Sequence, residues 1–141
     1  MEPMPRHARD VVVATAVASV VSGAPSTLHA LATGRGLLDA ARAAGTLVPG
    51  REHRPGLVAG GIVHGVISAF WGGLLGLLLP RRHTVAWGAL AGLGIAAISL
   101  PTVGRRRPAI AALPQVPQWA DNVAFGFVMG WLLCATDAEA S

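Results

Sequence analysis

One apolar run, from Val11 to Thr33, constrains this chain more than any other stretch. It is too long and too apolar for a helix on the surface of a water-soluble protein, and about 20 apolar residues suffice to cross a bilayer. Thr15, Ser19, Ser22, Ser26, His29 and Thr33 recur along it at alternating steps of four and three, which places them on one helical face. A helix that is apolar all round apart from one polar stripe reads as a membrane helix with the stripe turned toward partner helices. Pro25 lies inside the run. It lacks an N–H and clashes with the carbonyl one turn back, so a kink is expected there, with Gly23 adding local freedom. Ser26 and Thr27 are placed to help satisfy the backbone carbonyls freed near Val21 and Ser22. Two readings of the break stay open: an ordinary proline kink, or a helix opened to line a cavity. Ser22-Gly23-Ala24 also resembles a signal-peptide cleavage site. Pro25 would follow that cut and apolar character continues through Leu31, so the run is expected to be retained.

Three further runs repeat the signal: residues 57–79 ended by Pro80, 84–103, and 119–136 bounded by Trp119. With the first, over 11–33, they predict an all-α integral membrane four-helix bundle, one domain over residues 1–141. Hydrophobic residues make up 52% of the chain and charged ones 13%, where a soluble domain carries about 25% charged. A water-exposed globule could not cover its surface with so little charge. Between the first two spans, Leu37, Leu38, Ala41 and Ala44 share one face and Arg35, Asp39 and Arg42 another. This predicts a short amphipathic helix lying at the headgroups, stopped by Gly45. One helical turn is expected from Pro108, and the acidic tail from Asp137 is expected to fray.

All the Lys+Arg residues, 11 in number, are arginines, and the net charge is +4. They sit in short clusters between apolar runs, with no basic stripe on a soluble fold, which argues against nucleic acid and suits anionic lipid headgroups. The first and third connectors hold Arg35, Arg42, Arg51, Arg54 and Arg105 to Arg107. By the positive-inside rule those connectors face the cytoplasm. In composition and layout the chain resembles small multi-pass proteins of bacterial inner membranes, so a cell-membrane location is expected. The lone Cys134 permits no internal disulfide.

Lipid gives helices no hydrophobic reason to associate, so close approach through small residues matters. Gly61, Gly65, Gly72 and Gly76 in the second span, Gly88 and Gly92 in the third, and Gly126 and Gly130 in the fourth recur at such spacings and are the expected packing positions. Whether the partner helices belong to this chain, to a second copy or to another membrane protein is open at this point.

Polar residues gather toward one leaflet. Ser22, Ser26 and His29 come from the first span, His64 and Ser68 from the second, Ser99 and Thr102 from the third, and Asp121 and Asn122 from the fourth. Such groups are costly in hydrocarbon and should face one another or a wet cavity. A pocket near the cytoplasmic leaflet is therefore expected. Its polar groups could fix helix register, form a small-solute or proton path with His29, His64 and Asp121 titrating, or hold haem or a metal between His29 and His64. There is no His-Glu-x-x-His, no phosphate-cradling loop and no Gly-x-Ser-x-Gly elbow. The sequence thus leans toward a non-enzymatic binding or accessory subunit, with no catalytic residue, metal or cofactor assigned. A small homo-oligomeric proton-linked transporter or channel is the second reading, and haem or metal binding the third.

Overall fold

The structure is a computed structural model and describes residues 6–139. Seven α-helices follow one another: α1 Ala8–Val21, α2 Ala24–Thr33, α3 Asp39–Ala44, α4 Leu57–Leu78, α5 Thr84–Gly104, α6 Pro108–Ala111 and α7 Gln115–Glu139. No strand occurs among the described residues. Three helical stretches are long and apolar enough to cross a membrane: Ala8–Thr33, Leu57–Leu78 and Thr84–Gly104. The fourth expected span is part of α7, which is long enough at 25 residues. The adjacent Asp121 and Asn122 lower its hydropathy, and it is not one of the three.

The first run is two helices. Pro25 has no N–H to give the Val21 carbonyl, so the ladder stops one turn before it. Ser22 N–H still reaches Ala18 O at 2.9 Å, and Thr27 N–H to Gly23 O at 3.0 Å starts the next ladder. Pro25 thereby falls in the first turn of α2, where its missing donor costs nothing. α2 ends at Gly34, whose φ of 68° is left-handed, the conformation glycine adopts most cheaply.

The break redirects the chain. α1 packs on α4, with Thr15 against Gly72 and Val11 against Gly76. Beyond Gly23, α2 leans on α7 instead. α7 in turn runs antiparallel to α5 along a glycine seam: Gly130 meets Thr84, Gly126 meets Gly88, and Asn122 meets Gly92. The order across the molecule is therefore α4, α1 with α2, α7, α5. α4 and α5 are joined by the tight connector through His83, itself left-handed at φ 56°, yet α5 packs mainly on α7, and α4 on α1 and α3. The core is small, built from Ala14, Ala18, Leu75, Ile95, Phe125, Met129 and Leu133. Large side chains face outward instead, Leu77 at 83% and Val20 at 82% exposure among them, a surface suited to an apolar solvent rather than water.

Several expectations need correction. Gly61 and Gly65 have nothing within 4 Å of where a Cβ would stand, so they make no helix contact within this chain. Gly60 does, against the Ala41 carbonyl of α3. α3 does end at Gly45, though not through a left-handed cap. Gly45 has right-handed φ and opens a 3₁₀ turn over Gly45–Leu47, pressed on the Gly56 backbone. α3 is also shorter than its pattern, and it lies on the start of α4. The tail does not fray at Asp137: α7 continues to Glu139, and Asp137 is held by Arg6 and Arg81.

The first and third connectors meet through Arg107 and Glu52, 3.6 Å apart. Backbone N–H groups of Glu52 itself and Gly50 hold the Glu52 carboxyl below its ordinary range, with Arg107 adding a smaller pull. A carboxyl depressed in the fold stabilises it above the unfolded value, and that contribution vanishes as pH falls through the folded value. Thermal midpoints of wild type and Glu52→Gln should therefore differ near neutrality and converge in acid.

Candidate functional site

Because α2 leaves α4 for α7, a wedge opens between them. It is a hollow of about 430 Å³. Ser19, Ser22 and Ser26 line it from the broken helix, His64 and Ser68 from α4, and Gln118, Asp121 and Asn122 from α7. Ile67, Trp71, Ile95 and Phe125 give it an apolar wall, and Leu37, Leu38 and the alanines of α3 close in from the connector side.

The polar lining forms two hydrogen-bonded groups. In the first, His64 Nε2 lies 3.0 Å from the Ser19 carbonyl and 3.1 Å from Ser19 Oγ. A carbonyl only accepts, so Nε2 carries a hydrogen. Ser19 Oγ then donates onward to Ser68 Oγ at 3.0 Å. In the second, Asp121 meets the N-terminus of α2. Ser26 N–H donates to Asp121 Oδ1 at 2.9 Å and Ser26 Oγ–H to Oδ2, while Gln118 Nε2 donates to Ser26 Oγ at 2.9 Å. The proline break exposes first-turn N–H groups that a continuous helix would have used. A carboxylate from another helix caps them, where the helix dipole also favours negative charge. Asn122 is tied back to Gln118 O at 2.9 Å.

Asp121→Ala would strand both the N–H and the hydroxyl hydrogen of Ser26. It should lower stability by about 1–3 kcal/mol, the cost of leaving a buried donor unmet. Asp121→Asn keeps an acceptor and should lose less; denaturation midpoints in detergent test the difference.

Ser22, Ser26, His64, Ser68, Asp121 and Asn122 thus share one hollow, whereas His29, Ser99 and Thr102 do not line it. The α1–α4 register explains His29. Ser19 stands opposite Ser68, so α1 is already giving way to α2 at the level of His64, and His29 lies farther along α2 after its turn toward α7. It lines a separate recess of about 40 Å³ with Arg35 and Asp39. α5 reaches the hollow through Ile95 alone, and Ser99 and Thr102 lie beyond it toward the end of that helix; Thr102 Oγ1 donates to Ile98 O of its own helix at 2.6 Å. Ser26 turns to Asp121 rather than to its own helix, and Thr27 alone bonds back, to Gly23 O at 2.8 Å.

Ser19 and Gln118 are lining residues that the sequence reading did not assign to the pocket. Both had a signal: Ser19 belongs to the same stripe as Ser22 and Ser26, and Gln118 lies three and four residues before Asp121 and Asn122, on one helical face. Trp71 also faces the hollow, and its ring meets Phe70 edge-on at 5.1 Å. The seam pairing Gly92 with Asn122 sets Asp121 beside the middle of α5.

The Ser–His contact does not make a nucleophile. His64 Nε2 lies equally close to the Ser19 carbonyl, and Ser19 Oγ is shared with Ser68 Oγ, so the contact is part of a hydrogen-bond cluster and by itself defines no activated serine. Among the described residues no three His, Cys, Asp or Glu side chains group as metal ligands. No protein-family model, curated protein or solved structure matches the chain.

Proposed function

We propose that this is a non-enzymatic multi-pass protein of the cell membrane, a bundle of α1/α2, α4, α5 and α7, that holds a small amphipathic ligand in the wedge beside the helix break. One observation carries the reading: the Pro25 break steers α2 off α4 and leaves a cavity of about 430 Å³ with one polar and one apolar wall. Ligand sites commonly enclose roughly 300–1,000 Å³ and combine apolar lining with a few placed polar groups. The close glycine seam with α5, one of the apolar spans, supports α7 as the fourth crossing. The pairing of Glu52 with Arg107 supports placing both arginine-rich connectors at one surface, against anionic headgroups.

Gly61→Phe tests this. Gly61 lines the cavity and has open space where a Cβ would stand, so the ring should fill the hollow without disturbing the helices. Small molecules extracted from purified wild type and variant should differ, the bound species being lost from the variant. Identical extracts would overturn the reading. His64 and Asp121 share the hollow, which favours a proton-linked transporter as the second reading. Proton flux into liposomes, abolished by His64→Ala, would establish that one.

A further inference from the structure

We infer that the cavity selects amphipathic organic monocations, an ammonium-like head being held at Asp121 and the tail along the apolar wall. This rests on the cavity's being a ligand site. Asp121 is the single carboxylate of the lining, and no arginine lines it. Among the described residues no ion pair joins a cation to Asp121. The end of α2 offsets about half a charge. The remainder faces a hollow walled by Ile67, Trp71, Ile95 and Phe125, where a charge is poorly screened and a partner is worth more than in water.

The donors near Asp121 are already committed. Ser26 gives both its N–H and its hydroxyl hydrogen to Asp121, and Gln118 gives one to Ser26. Across the hollow, His64 Nε2 is committed to Ser19. An incoming anion would meet a carboxylate, with both hydrogens of Ser26 already turned toward it. An ammonium head would find the remaining lone pairs of that carboxylate, which has more acceptor sites than the two it uses. Trp71 in the same lining adds the aromatic type that attracts cations most strongly. A chain of apolar carbons matches Ile67, Ile95 and Phe125, so the cation is amphipathic and not a bare metal ion.

The test is calorimetry on the full chain in dodecyl maltoside micelles, with protein-free micelles subtracted. Three probes of equal chain length are compared: octylammonium, 1-octanol and octyl sulfate. Octylammonium should bind at least tenfold more tightly than octanol, and octyl sulfate most weakly. Asp121→Asn should erase the ammonium's advantage and leave octanol within twofold. Equal binding of ammonium and alcohol, or tighter binding of the sulfate, would overturn the charge preference while leaving the cavity as a ligand site. No binding by any probe, or binding that Gly61→Phe leaves intact, would overturn the ligand site itself. The wild-type comparison decides the matter even where Asp121→Asn fails to fold. Added phosphatidylethanolamine carries the same ammonium chemistry on a lipid: competition with octylammonium assigns the head to the bilayer, and its absence assigns it to a free amphiphile.

Discussion

Gly126→Leu should separate α7 from α5 and lower stability by about 3 kcal/mol, the upper part of the range for overpacking a well-fitted contact. A Cβ at Gly126 would overlap the carbonyl oxygen of Gly88, and one at Gly130 would stand 2.6 Å from Thr84 O. The obstacle in both cases is backbone, which cannot swing aside as a flexible side chain can. Gly88 and Gly92 present the reciprocal problem against Gly126 and Asn122. Each clash therefore requires the whole helix to move. Gly65→Leu supplies the contrast. Nothing lies within 4 Å of a Cβ at Gly65, so this substitution should change stability by less than about 0.5 kcal/mol, as surface replacements usually do. Unfolding midpoints in detergent for the two variants measure the difference directly. Similar losses at Gly65 and Gly126 would mean that the small-residue pattern, and not the particular seam, decides packing.

That contrast also shows where the sequence could be read and where it could not. Helical content and span positions follow from local properties: long apolar runs, Pro80 after one helix, Pro108 opening another. Which glycines touch a neighbour depends on how helices are rotated about their axes. Gly61, Gly65, Gly72 and Gly76 look alike in a row of letters, yet Gly72 and Gly76 alone face α1. The cavity was legible in the same partial way. The serine stripe and Pro25 marked its wall, because both act within one helix. The exclusion of Ser99 and Thr102 was not legible, since it depends on how the helices pack, which brings α5 to the hollow at Ile95 alone. The place of His29 was not legible either, because the break at Ser22 and Gly23 turns the later residues toward α7, and a kink expected at Pro25 does not say in which direction. The α7 boundary was read too tightly for a further reason: Gln115 and Pro117 look like connector residues, yet Pro117 lies in a first helical turn, where a missing N–H is harmless.

Arg6→Ala should lower stability by about 2 kcal/mol, less than the full cost of stranding a buried charge because Arg81 still partners Asp137. The side chains of Arg6 and Asp137 are 6% and 14% exposed, and Arg6 Nη2 lies 2.8 Å from Asp137 Oδ2. Arg6 Nη1 also donates to Leu79 O at 2.8 Å and Gly76 O at 3.2 Å. Those carbonyls are at the end of α4, which Pro80 terminates without offering an N–H, and a cation there meets the negative end of the helix dipole. One guanidinium thus joins the lead before α1, the last turn of α4 and the last turn of α7. This matters for the cavity because it lies at the opposite end of the bundle. α4 and α7 are held apart at the wedge by the broken helix and drawn together beyond it by Arg6, so the angle between them is fixed at both ends. Arg6→Lys keeps the charge but cannot reproduce the forked contact, and should fall between wild type and Arg6→Ala. Detergent unfolding of Arg6→Ala, Arg6→Lys, Asp137→Asn and the Arg6→Ala/Asp137→Asn double variant measures the coupling. A change below about 0.5 kcal/mol in Arg6→Ala would match an exposed pair, and would mean that the bundle is fastened elsewhere.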